Sequence, residues 1–236
     1  MVAMNGILLV DKPVGISSFG VVAKVRGIWR NELREQGVSI KKAKIGHTGT
    51  LDPMASGLMI LVLGSYTKRA QEFSKLDKVY EAELTLGSNS TTDDLEGELA
   101  AVSDRQPTAD EVKQVAVSLV GEIEQVPPIY SAIKIDGQRA YKLARKGHEV
   151  AMQPRQVTIF SIDNLEYDYP RLRFTVHVSS GTYIRSLARD IGKKLNTGAY
   201  LSALRRTKVG EFELDSSLKL QSLNLQSIID LLRTLP

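Results

Sequence analysis

An α+β fold is predicted for this 236-residue chain by three features: strands with a clear period of two, helices with an apolar stripe of helical spacing, and no regular succession of βα units. No repeat of fixed period and no Pro/Gly/Ser-rich linker divides it, so residues 1–236 are expected to form a single domain.

The opening apolar run GILLV reads as a short buried strand. Ser17 or Ser18 then caps a helix that places Val21, Val25, Ile28 and Trp29 on one face. From Arg30 to Lys44 the apolar pattern gives way to charge, and an exposed basic loop with Lys41, Lys42 and Lys44 is expected. GLMILVLG is continuously apolar, as in a strand covered on both faces, and TKRAQEFSKL after it has helical character. In VYEAELTLG, Tyr80, Ala82, Leu84 and Leu86 alternate with Glu81, Glu83 and Thr85, so Tyr80 points inward. The acidic stretch SNSTTDDLEGE is a turn or loop, expected to be peripheral. Thr108 and Glu111 form a capping box for a helix carrying Val112, Val115, Leu119 and Val120 and ended by Gly121.

PPIYSAIKIDGQRAYKLARKG reads as an extended segment, an Asp136-Gly137 turn and a short helix stopped by Gly147. Residues 156–167 and 171–179 form a hairpin across Tyr169 and Pro170, with Leu172, Phe174, Val176 and Val178 on its buried side. Gly181 breaks the second strand. Thr182 then caps a helix whose Ile184, Leu187, Ala188, Ile191 and Leu195 face the core, with Arg185 and Arg189 one turn apart on another flank.

Composition narrows the function. A hydrophobic share of 42% and a charged share of 25% are those of a globular chain. The absence of cysteine excludes disulfides, thiolate metal sites and cysteine nucleophiles, and His47, His148 and His177 show no paired ligand spacing. No bound metal is expected. The longest apolar run, Leu58 to Leu63, is far shorter than the roughly 20 residues of a membrane helix. The N-terminus has no basic stretch before its apolar residues, so no secretory signal is read and a cytoplasmic location is expected. A net charge of +4 permits a polyanionic partner. Phosphate-cradle and serine-hydrolase motifs are absent, and SxxK recurs without its companion motifs.

Chemistry concentrates in Lys44 to Gly57, KIGHTGTLDPMASG. Its glycines allow a tight path and close approach of a ligand, and Pro53 restrains the backbone just after Asp52, which makes Asp52 the candidate nucleophile. This loop resembles the signature of the TruB family of tRNA pseudouridine synthases. DKPVGISS (11–18), KVYEA (78–82), PPIYSAIKIDGQRAY (127–141), SGTYIRSLARDIG (180–192) and GAYLSALRRTKVG (198–210) resemble further blocks of the family in its order. One departure is Thr91, where the family often carries aspartate.

The resemblance implies a pseudouridine synthase fold: a central mixed, mostly antiparallel sheet flanked by helices and loops, with an active-site cleft across it. It implies isomerisation of a T-loop uridine of tRNA, usually uridine 55, without metal or cofactor. Asp52 is expected as nucleophile, Arg185 as the cation that keeps it ionised, and Tyr80 as a ring against the flipped base whose hydroxyl takes part in proton transfer. Leu204 is the apolar pocket floor, Tyr183 a second stacking or hydrogen-bonding group, and His47 the group that wedges into the T loop. Lys41, Lys42, Lys44, Arg205, Arg206 and Lys208 would contact phosphates, while Lys12 and Pro13 brace the site. The chain is expected to act as a monomer, to end in a short extension from about residue 211, and to lack the PUA domain common in the family. Two other readings differ in class: a tRNA-binding or tRNA-folding module with secondary catalysis, and a carboxylate-based glycosidase or nucleosidase, which needs a second acid and releases free uracil.

Overall fold

The computed structural model describes residues 4–131, 133–135, 137–144 and 151–234. Asp136, Gly147 and the side chain of Lys42, each singled out above, lie outside the described residues.

The first third contains strand β1 (Gly6–Lys12), helix α1 (Ser18–Glu35), β2 (Ile45–His47), β3 (Ser56–Leu63), α2 (Ala70–Ser74) and β4 (Lys78–Leu86). The middle follows with β5 (Ser88–Ser90), β6 (Leu99–Ala101), α3 (Ala109–Ser118), β7 (Gly121–Gln125), β8 (Lys134–Ile135), β9 (Gln138–Arg139) and α4 (Ala140–Ala144). Last come β10 (Arg155–Asp168), β11 (Arg171–Val178), α5 (Ile184–Lys194), β12 (Ala199–Val209), β13 (Phe212–Glu213), β14 (Leu218–Lys219) and α6 (Leu225–Leu231). The architecture is the predicted mixture of strands and helices around a mixed sheet. The chain divides into two compact units, one made of the residues up to Tyr80 and from Arg205 onward, the other of Glu81–Leu204.

In the first unit the strand order is β14-β1-β3-β12, with β2 beside β3 and β13 beside β12. β1 and β3 run antiparallel from Gly6 opposite Leu63 to Lys12 opposite Gly57, whereas β3 and β12 are parallel. Every residue of β3 after Ser56 is buried, as its continuous apolar run requires. Ile7, Leu9, Leu58, Ile60, Phe73 and Phe212 belong to one core cluster. Ser17 is the N-cap of α1 and accepts a 3.0 Å bond from the Gly20 amide. The helix continues to Glu35, past the point where a loop was expected at Arg30. Its buried stripe of Val22, Val25, Trp29 and Leu33 persists through the charged stretch, and one apolar residue per turn suffices to hold the last turns. TKRAQEFSKL forms a 3₁₀ helix, Gly64–Arg69, followed by the short α2.

In the second unit the order is β4-β11-β10-β7. The alternation in β4 holds throughout, with Tyr80, Ala82, Leu84 and Leu86 buried. The β10–β11 hairpin turns at Tyr169 and Pro170 and buries Leu172, Phe174, Val176 and Val178, as predicted. The Thr108–Glu111 capping box forms at α3, which ends at Ser118, so Gly121 opens β7 instead of closing the helix. Val112 and Leu119 are buried, but Val120 is exposed. At α5 the N-cap is Tyr183 rather than Thr182, whose hydroxyl donates back to the Ser179 carbonyl at 2.9 Å. The side-chain amide of Gln125 takes over the end of the helix, accepting from the Tyr183 N–H at 2.8 Å and donating to its carbonyl at 3.1 Å. No helix among the described residues is long and apolar enough to cross a membrane.

Candidate active site

Asp52 lies in the loop between β2 and β3, and the main chain on both sides of it is pinned. Thr48 N–H donates to the Ile60 carbonyl (3.1 Å), and Arg206 Nη2 donates to that of Gly49 (3.2 Å). Ser18 Oγ donates to the Leu51 carbonyl and accepts from the Leu51 N–H, both at 2.8 Å. Gly15 N–H donates to the Pro53 carbonyl (2.8 Å), and Lys12 Nζ reaches the carbonyls of Ala55 (2.5 Å) and Pro53 (3.4 Å). Leu51 is buried and Pro53 exposed, which leaves Asp52 half-buried between them.

Two cations hold this loop from inside the protein. Lys12 is fully buried, at 0% exposure, and braces the loop as expected; Arg206, at 2%, does so too and also donates Nε to the Leu58 carbonyl at 2.7 Å. Arg206 is therefore not a phosphate contact. β12 turns successive side chains to opposite faces, which buries Arg206 while Arg205 is half-exposed, bonded to Asp11 at 3.0 Å and Ser56 at 3.2 Å. Lys208 pairs with Glu213 at 3.0 Å, and Lys41 and Lys44 are exposed. The loop's glycines accommodate this internal packing. A Cβ on Gly57, which has φ +106°, would lie 2.3 Å from the Arg206 carbonyl oxygen, and one on Gly49 would lie 3.3 Å from the Arg206 guanidinium.

His47 ends β2 half-buried, opposite Leu61. Tyr80 is buried on β4, two residues from Lys78 and on the same face. Burial, followed by the neighbouring Arg206 cation, lowers the Lys78 ammonium to a pKa of about 8. Its Nζ donates to the carbonyls of Ser74 (2.7 Å) and Leu76.

The second unit builds around Arg185. Although it sits in the first turn of α5, Arg185 is 6% exposed rather than on a solvated flank. It donates to the carbonyls of Thr92 (3.1 Å) and Tyr130 (2.9 Å), and its Nη1 lies 3.4 Å from Asp94 Oδ2. Asp94 is itself buried and accepts from the Thr92 hydroxyl at 2.5 Å and the Glu96 N–H at 3.0 Å. Arg189, one turn on, reaches Asp93 (2.7 Å), the Val126 carbonyl (2.8 Å) and Asp190 (3.3 Å). Burial pushes the Asp93 and Asp190 carboxyls up, against the opposing pull of Arg189.

The TTDD turn is thus not peripheral, because it supplies the counter-charges of both arginines. Sequence reasoning passed over Asp93 and Asp94; the available signal was two adjacent acids beside a pair of arginines on one helix flank. Within this unit Thr92, Asp93, Pro127, Tyr130, Met152 and Arg189 line an open cavity of about 250 Å³. Tyr183 and Leu204 are both half-buried. The structure therefore places His47, Asp52 and Tyr80 in the first unit and Tyr183, Arg185 and Leu204 in the second. Among the described residues no group of three or more His, Asp or Glu side chains is arranged to hold a metal ion.

Residues 37–184 match the TruB family pseudouridylate synthase N-terminal domain, and residues 185–230 match the tRNA pseudouridylate synthase B C-terminal domain. The tRNA pseudouridine synthase B of Phocaeicola vulgatus is 45% identical over 217 residues, which cover 92% of this chain and 90% of that protein. Its counterpart from Syntrophotalea carbinolica is 43% identical over 225 residues, covering 95% and 70%. Among solved structures, a chain of a Cbf5-Nop10-Gar1 complex is 30% identical with a TM-score of 0.70, over 97% of this chain and 54% of that one. By both family matches and these relatives, the chain belongs to the TruB family of pseudouridylate synthases.

Proposed function

We propose that the protein isomerises a T-loop uridine of tRNA, at position 55, to pseudouridine, with Asp52 as nucleophile. The observation that carries this is a half-buried aspartate on a loop whose main chain is pinned on both sides, an arrangement suited to a group that must be aimed. The N1–C1′ bond breaks, the uracil turns, and a C5–C1′ bond forms. The C5 proton leaves to solvent and N1 gains one, so no oxidant or reductant is consumed. Asp52 attacks either the ribose or the base. Tyr80 stacks on the flipped base and serves the proton transfer, and Arg185 stabilises the charge of the reacting carboxylate. Leu204 and Tyr183 complete the pocket, His47 supports the opened T loop, and exposed Lys41 and Lys44 meet phosphates. The enzyme works as a cytoplasmic monomer without metal or cofactor.

Tritium release from tRNA labelled at uridine C5 tests this reading. Release by the wild type and none by Asp52→Ala is expected. Salt-sensitive tRNA binding with no release by either would favour the binding-module reading, and free uracil would favour the glycosidase.

A further inference from the structure

We propose that Ser18 is a positioning residue for Asp52, its hydroxyl fixing the peptide plane through which the chain enters the nucleophile; this rests on Asp52 being that nucleophile. Two adjacent serines open α1, and they divide the work. Ser17 caps the helix through its bond from the Gly20 N–H. The hydroxyl of Ser18, 3% exposed, turns away from its own helix to residue 51, 33 positions later in the chain.

Both of its bonds go to Leu51, and that pairing matters. The Leu51 N–H belongs to the peptide between residues 50 and 51, and the Leu51 carbonyl to the peptide between 51 and 52. One hydroxyl, donating to one plane and accepting from the other at 2.8 Å each, fixes their relative rotation. On the far side, the Asp52 carbonyl accepts from the Ala55 N–H at 3.1 Å, and Pro53 restricts the backbone of the residue before it. With both flanking planes set, the backbone from which the Asp52 side chain projects is fixed. Removing the hydroxyl frees the entry plane while leaving the Lys12, Gly15 and Arg206 anchors in place.

The test compares Ser18→Ala and Ser18→Thr with wild type in single-turnover rate at saturating tRNA, tRNA Kd and thermal midpoint. Ser18→Ala is expected to lower the rate about 10- to 100-fold, the scale of a misplaced reacting group, with Kd and the folded fraction held. Ser18→Thr, which restores the hydroxyl, should recover most of it. An undiminished rate in Ser18→Ala, a loss that follows Kd or unfolding, or no recovery in folded Ser18→Thr would each overturn the proposal. Amide hydrogen exchange at Leu51 in the wild type needs no variant: strong protection is expected, and exchange at the rate of an open loop would also overturn it. Asp52→Ala in the same assay separates the two claims. If it retains activity the nucleophile assignment fails, and if it is inert while Ser18→Ala is normal, only the role of Ser18 fails.

Discussion

The two regions that carry the candidate residues are stabilised in opposite ways. Around Asp52, buried Lys12, Ser18 and Arg206 bond the main chain, and the aspartate is half-buried. Around Arg185, it is the side chain itself that is enclosed, by two carbonyls and the buried Asp94. One region orients a functional group by fixing the backbone beneath it, the other by occupying the group's own hydrogen-bonding capacity. On the proposed assignment, Asp52 acts from a backbone that is fixed, whereas Arg185 supplies its charge from a guanidinium held by Thr92, Tyr130 and Asp94.

The largest effect separating the two modes is expected at Asp94. Asp94→Asn removes the countercharge of a buried cation, and urea unfolding should show a loss of about 3 kcal/mol, typical of breaking a buried pair. A loss no greater than that of an exposed pair such as Arg173–Glu83 would break the comparison.

A smaller, pH-dependent effect is expected at Lys78, a buried cation held by carbonyls in the first unit. Its folded pKa of about 8 lies below the ordinary 10.5. Between those values the unfolded chain binds a proton that the folded one does not, so stability rises with pH across that window. Measured against Lys78→Met by urea midpoints from pH 7 to 10, the wild type should gain ground as pH rises. A constant difference would show that the burial cost is absent. The smallest effect is at Thr108→Ala, where losing one half of the α3 capping box should cost about 1 kcal/mol in the same titration.

Much of this was legible in the residues. The alternation of β4, the β10–β11 hairpin and the Thr108–Glu111 box are local patterns, and each formed as read. Asp52 stood out because aspartate, proline and glycines in one loop are a local signal too. What escaped depends on contacts far apart in the chain. The TTDD turn gains its meaning from arginines more than ninety positions later. Arg206 looked like its neighbour Arg205, and the alternation of buried Ala199, Leu201 and Val209 would have buried Arg205 instead; what sets Arg206 apart is its contact with the carbonyls of Gly49 and Leu58, about 150 positions earlier. The last turns of α1 were hidden because charge obscured the single apolar residue, Leu33, that holds them.

The anchors of the Asp52 loop come from both sides of it in sequence: residues 12, 15 and 18 precede it, and residue 206 follows it by more than 150 positions. During synthesis from the N-terminus, Asp52 emerges more than 150 residues before the guanidinium that holds the Gly49 carbonyl exists. A nascent or prematurely terminated polypeptide ending before residue 206 carries the aspartate without the Arg206 anchor, so the loop's full set of main-chain bonds forms only once residue 206 has been made.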